Sequence, residues 1–94
     1  MDYIFEILDK TERKVHLSEE RWKHIKQDHP NVEEDEIKIT IKNPIKIIDK
    51  GKRKYFYYHY FKYKKHSEKF LRVIVKYLNG EGFIISSYFV DNIS

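Results

Sequence analysis

Two histidines, an arginine and an aspartate fall in one short run, Arg21-Trp22-Lys23-His24-Ile25-Lys26-Gln27-Asp28-His29-Pro30. Imidazole titrates near neutrality, so His24 and His29 could work as an acid–base pair. One ring would take the proton of a ribose 2′-hydroxyl while the other protonates the departing 5′-oxygen, a reaction that needs no metal. The His-x-x-x-Asp-His order differs from the i, i+4 histidine pair of a helical zinc site, so no metal is expected. Each histidine also has a plainer reading. His29 could bond a free carbonyl at a helix end, and His24 could be a half-exposed helical residue.

A helix has to position these groups. At 3.6 residues per turn, Trp22, Ile25 and His29 make one stripe, and Arg21, His24 and Asp28 make its neighbour. The first stripe can anchor the helix on a sheet, leaving the second at the edge of that contact. Ser18 is a good N-cap before Glu19 and Glu20, and Pro30 holds His29 extended, so the helix should span 19–28. A second helix is expected after it, capped by Asn31, loaded with Glu33, Glu34, Asp35 and Glu36 and stopped by Asn43-Pro44. Its apolar stripes would be Val32, Glu36, Ile39 and Lys42 beside Ile37 and Ile41. The alternation Ile37-Lys38-Ile39-Thr40-Ile41 competes as a strand, and the clustered acids favour the helix.

Around the helices the period is two. Residues 2–8 and Lys14-Val15-His16-Leu17 read as an N-terminal hairpin or two extended segments, with His16 solvent-facing or lightly buried. Ile45–Asp49, Arg53–Lys62, Phe70–Leu78 and Gly82–Val90 read as four further strands. The second of these is aromatic on both faces, as in the middle of a covered sheet. For the last hairpin a three-residue loop or an equivalent bulge is expected. It would pair Val75 with Ile85 and Tyr77 with Phe83, and gather Arg72, Ser86 and Tyr88 on the opposite face. There Arg72 could grip a phosphate and Tyr88 could stack a base or donate its hydroxyl. An ordinary solvated sheet face competes with that reading.

At 94 residues the chain is expected to be one α+β domain, 1–94, with a modest core. The formal charge of +4 is compatible with a polyanionic partner without requiring one. Lys52, Arg53 and Lys54, at one end of the aromatic strand, and Lys76, on the strand after it, are the candidates for holding RNA phosphates. Lys50, Lys62, Lys64 and Lys65 add to the basic patches at the two ends of the aromatic strand. Charged hairpin ends that protect sheet edges would look the same. The absence of cysteine removes disulfides, thiolate metal sites and cysteine nucleophiles. No Gly-rich phosphate loop or nucleophile elbow is present, so no cofactor is expected. The N-terminus lacks the pattern of a signal peptide and no stretch reaches the ~20 apolar residues of a membrane span. A cytoplasmic location is therefore expected, with no membrane partner.

Two helices followed by four antiparallel strands is the order shared by barnase, EndoU, colicin-type tRNases and RelE toxins. The segments Leu17-Ser18-Glu19-Glu20-Arg21-Trp22-Lys23-His24-Ile25, His29-Pro30, Asn43-Pro44 and Leu78-Asn79-Gly80-Glu81-Gly82-Phe83-Ile84-Ile85-Ser86-Ser87-Tyr88 resemble the phage-Barnase-EndoU-Colicin-RelE-like nucleases. The resemblance covers roughly residues 15–90. It implies metal-independent RNA cleavage by 2′-hydroxyl attack on a concave sheet face. In that reading His24 and His29 are the acid and base, Arg21 and Arg72 clamp the phosphate, and Ser86 and Tyr88 position the substrate. No glutamate is evident on the sheet as a barnase-type base. The implied partners are RNA, either tRNA or mRNA, and an antitoxin protein if the chain is a toxin. A non-catalytic RNA-binding or protein-interaction module using the basic, Tyr-rich face is the alternative.

Overall fold

Residues 2–93 are described by a computed structural model, and they run β1 (Tyr3–Leu8), β2 (Lys14–Ser18), α1 (Glu19–Asp28), α2 (Glu34–Lys42), β3 (Lys46–Asp49), β4 (Lys54–Tyr60), β5 (Phe70–Leu78) and β6 (Glu81–Val90). Met1 and Ser94, the two ends of the expected domain, lie outside the described residues. The class is α+β. The sheet, however, has six strands in the order β1-β2-β6-β5-β4-β3, which corrects the expected four-stranded antiparallel sheet with a separate hairpin. β1 and β2 do form a hairpin, and β3 to β6 are antiparallel neighbours. The two parts fuse because β2 lies parallel to β6, with Val15 beside Gly82 and His16 beside Phe83. Val15 and Leu17 are fully buried as a result, on the face that β6 extends.

Two local devices set which side chain faces which way. Asn79 and Gly80 both take positive φ, 55° and 82°, giving a two-residue turn that pairs Leu78 with Glu81. This corrects the expected three-residue loop: Val75 meets Ile84 rather than Ile85, and Tyr77 meets Gly82 rather than Phe83. A bulge then leaves Ile85 without an opposite residue, so that Ile74 pairs with Ser86 and Arg72 with Tyr88. The extra residue reverses the alternation. Gly82, Ile84, Ser87 and Phe89 face the core, and Phe83, Ser86 and Tyr88 share the other face with Arg72 and Lys76.

Both helices cover the first face. Ile25 of α1 and Ile37 and Ile41 of α2 join Leu17, Tyr57, Leu71, Val73 and Val75 in one core, with Trp22 half-buried against it. Ser18 caps α1 as expected, its Oγ accepting the Arg21 N–H at 3.1 Å, and the His29 N–H closes the helix on the Ile25 carbonyl. The second cap is Glu33, not Asn31. Val32 is fully buried, so the chain must turn inward before α2 begins, and the Glu36 carboxylate then accepts the Glu33 N–H at 2.9 Å. Ile39 is 41% exposed, and Thr40 takes the core position that the expected stripe gave it. Tyr63 and Lys64, in the loop after β4, both reach the buried Glu36 carboxylate, Lys64 at 2.8 Å.

At the β1–β2 turn, Asp9 accepts hydrogen bonds from Thr11 and from the Arg13 N–H, and its other oxygen accepts from Tyr57 and Tyr77 in the core. The first hairpin is thereby pinned to the middle of the sheet. Among the described residues, no helix is long and apolar enough to cross a membrane.

Candidate active site

The uncovered face of the sheet and the free edge of β6 form the site. The ladder between β2 and β6 registers only two residue pairs before Ser18 hands the chain to α1. Beyond Phe83 the edge of β6 therefore faces a helix instead of a strand. α1 turns its Ile25 to the core and keeps Arg21, His24 and Asp28 on the exposed side, as the two stripes require.

Arg21, His24, Asp28 and His29 line one wall of a recess of about 270 Å³, with Ile85 and Ser86 of β6 opposite. The bulge at Ile85 is what turns Ser86 toward this recess. The His29 ring lies 5.2 Å from the ring of Tyr88 at 32°. Tyr88 in turn accepts a hydrogen bond from Arg72 Nη1 at 3.0 Å, and Arg72 Nε donates to the Tyr58 hydroxyl at 2.9 Å. The guanidinium carbon also lies 4.9 Å from the centre of the Phe56 ring. Burial by itself would weaken the charge on Arg72, but the Tyr88 and Tyr58 hydroxyls outweigh it and raise its pKa, so the group is a fixed cation. Two of its five N–H groups are engaged in these bonds, leaving donors for an anion. Both phenols accept from Arg72, and Tyr88, the half-buried one, keeps its own proton for a further acceptor.

Arg21, His24, His29 and Ser86 thus share one recess, Tyr88 joins through the His29 ring, and Arg72 joins through Tyr88. The four basic candidates divide. Lys54 and Lys76 are cross-strand neighbours on the same open face as Arg72. Lys52 sits in the exposed β3–β4 turn at φ 55°, and Arg53 lines a different recess with Arg13, Tyr55 and Tyr77 at the end of the sheet. These two do not approach the histidines because both lie in the turn, where neither side chain obeys the strand alternation.

Tyr58 and Phe56 were not singled out from the sequence, although an aromatic strand paired with the Arg72 strand is the signal for them. His16 is a larger correction. It is only 5% exposed, with Nε2 at 2.5 Å from the Glu81 carboxylate and Nδ1 at 3.1 Å from that of Glu6. Its ring is stacked 4.9 Å from Phe83 and lies 4.7 Å from Tyr3. The long-range parallel pairing buries it, and nothing local in the sequence announces that. Two glutamates flank this ring, Glu81 hydrogen-bonded to His16 and Glu6 3.1 Å from its Nδ1. Among the described residues, no group of three or more histidine, aspartate or glutamate side chains is gathered as metal ligands. No protein-family model, curated protein or solved structure matches the chain.

Proposed function

We propose that this chain is a small endoribonuclease that cleaves RNA through its own 2′-hydroxyl. The 2′-oxygen attacks the adjacent phosphorus while one imidazole of the His24/His29 pair takes its proton. The bond from phosphorus to the 5′-oxygen breaks, and the other imidazole protonates that oxygen, leaving a 2′,3′-cyclic phosphate and a 5′-hydroxyl. Arg21 and Arg72 neutralise the phosphate as charge builds on it, and Tyr88 and Ser86 donate to its oxygens. One observation carries the reading. An imidazole, a phenol and a guanidinium are in series, His29 to Tyr88 to Arg72, beside a recess that holds a second imidazole and a second guanidinium.

The test is cleavage of a labelled tRNA and mRNA mixture in EDTA, wild type beside His24→Ala and His29→Ala. Cleavage that falls by about 10²-fold or more in each variant is the expected result. Equal cleavage by all three proteins would remove both histidines from the mechanism.

A second reading, an RNA-binding module without turnover, is favoured by a different observation. Lys54 and Lys76 lie side by side on the open face, and the Lys50 ammonium lies 5.2 Å from the centre of the same Phe56 ring that Arg72 approaches. Cations interleaved with rings bind single strands by phosphate contact and stacking. Affinity that falls steeply with salt, with no cyclic phosphate product, would select this reading.

A further inference from the structure

A second recess adjoins the first. It has a volume of about 320 Å³, and its lining includes Tyr3, His16, Phe83, Leu78, Lys76 and Arg21. Arg21 and Ile85 line both recesses, so the two cavities open on either side of one guanidinium and one bulged residue. Their characters differ. The first is walled by His24, Asp28, His29 and Ser86, whereas the second is walled by rings and aliphatic side chains with two cations, Arg21 and Lys76.

The ring wall is built to stay in place. Tyr3, His16 and Phe83 come from three different strands and meet in sequence, Tyr3 against His16 at 4.7 Å and His16 against Phe83 at 4.9 Å and 16°. The central ring is held at Nε2 by the Glu81 carboxylate, and the Glu6 carboxylate lies 3.1 Å from Nδ1 without a hydrogen bond to it. A clamped imidazole of this kind does not rotate into the first recess. Buried itself, it backs the Phe83 ring, which lies nearly parallel to it, while the Tyr3 ring is tilted by 37° on its other flank.

We infer that this second recess is a subsite for one unpaired nucleobase, next to the phosphate that Arg21 would hold. The inference rests on the ribonuclease reading for the identity of the ligand. A base flipped from its strand presents a flat π-face that stacks on aromatic walls, while its 5′ or 3′ phosphate stays within reach of a flanking cation. The recess offers both surfaces, with Arg21 placed between the stacking pocket and the histidines. It names the substrate class as RNA that is single-stranded at the cut, because a paired base has neither face free. The wall itself lies outside the acid–base pair, so loss of the base contact should lower binding and leave the chemistry in place.

Two measurements test it together. In the first, wild-type protein is given a short RNA in which each nucleotide in turn is abasic. Cleavage efficiency should fall about tenfold or more at one position adjacent to the cut bond. In the second, 2′-O-methylated RNAs carrying 2-aminopurine at each position in turn are added to wild type and to Phe83→Leu. Fluorescence should be quenched by the wild type and much less by the variant. Cleavage that is indifferent to every abasic position overturns the subsite while leaving the nuclease intact. Quenching that depends on Phe83, with no cleavage of any RNA, upholds the base pocket and overturns the nuclease. Neither quenching nor cleavage overturns both. The abasic scan uses only wild-type protein, so it decides the matter even if Phe83→Leu is poorly folded.

Discussion

The hydroxyl of Tyr57 lies 2.5 Å from the carboxylate of Asp9, 48 residues earlier in the chain and closed off from solvent. Tyr77 donates to the same carboxylate oxygen at 2.8 Å. The Arg13 guanidinium carbon lies 3.7 Å from the centre of the Tyr77 ring, over its outer side. Burial would raise the Asp9 pKa, but the bonds from Tyr57, Thr11, Arg13 and Tyr77 outweigh it and hold the carboxyl below its usual 3.8. Burial also pushes the Tyr77 phenol up to about 12, so it stays neutral and able to donate.

From this follows a pH dependence. The folded chain takes up the Asp9 proton less readily than the unfolded chain, so Asp9 contributes stability above about pH 4 and loses it as pH falls through the folded value. Urea unfolding of Asp9→Asn at pH 7 should show a loss of about 1–3 kcal/mol. Between pH 5 and 2, roughly the window of the linkage, wild type should lose more stability than the variant. Parallel curves for the two proteins would show that the carboxylate is not linked to folding.

Arg72→Lys tests the clamp. Lysine keeps the charge but cannot reach Tyr58 and Tyr88 from one planar fork. RNA cleavage should fall by about tenfold or more while the product stays a cyclic phosphate. Tyr58 is fully buried and would lose its partner, so stability should also fall by about 1–3 kcal/mol. An unaltered cleavage rate would place the phosphate elsewhere.

Gly82 stands where no other side chain fits. A Cβ there would come within 2.8 Å of both the Tyr77 ring and Val75. Tyr77 cannot swing aside without breaking its bond to Asp9. Gly82→Ala should therefore cost about 1–3 kcal/mol in chemical denaturation, by overpacking. Because Gly82 pairs with Val15, the same variant should speed amide exchange along β2 more than along β4.

Glu36 is a buried acid held by Lys64 and Tyr63 from the loop after β4. Removing the carboxylate in Glu36→Ala leaves the Lys64 ammonium, whose side chain is only 13% exposed, bonded to the Asn31 carbonyl without its counter-charge. A loss of about 3 kcal/mol is expected in urea unfolding. Lys64→Met, which keeps the stem and drops the charge, should restore part of it in the double variant.

The helices and the local strands were legible because their signals are local. Ser18 before two acids, Pro30 after His29, and the alternation of Phe70–Leu78 each lie within a few residues of what they determine. The shared face of Arg72, Ser86 and Tyr88 was legible too, since only a bulge or an odd loop keeps Val73 and Val75 on the buried side. What the sequence left open was which device, loop or bulge, and where it sits; the structure has the bulge. Asn79-Gly80 makes the ordinary two-residue turn, and the extra residue sits at Ile85, where no composition marks it. The parallel seam between β2 and β6 was illegible for a related reason. Its partners are set by which apolar faces meet in space, so His16, bounded by Val15 and Leu17, reads as an outward residue until β6 is beside it. Asp9 left a faint trace, as an aspartate two residues before a threonine, which marks the turn without revealing the two tyrosines beneath it.

The seam between β2 and β6 also governs when the site can come into being. His16 and Glu81, which meet across it, are 65 residues apart, and Arg21 follows directly from the strand that β6 must dock. During synthesis the first hairpin and α1 emerge long before β6. Until residues 81–90 arrive, α1 has no Ile85, Ser86 or Tyr88 to face, and both recesses lack a wall. Contacts of such long sequence separation form late, because loop closure has to be met before they contribute. A ribosome carrying a partly made chain therefore carries neither recess in closed form.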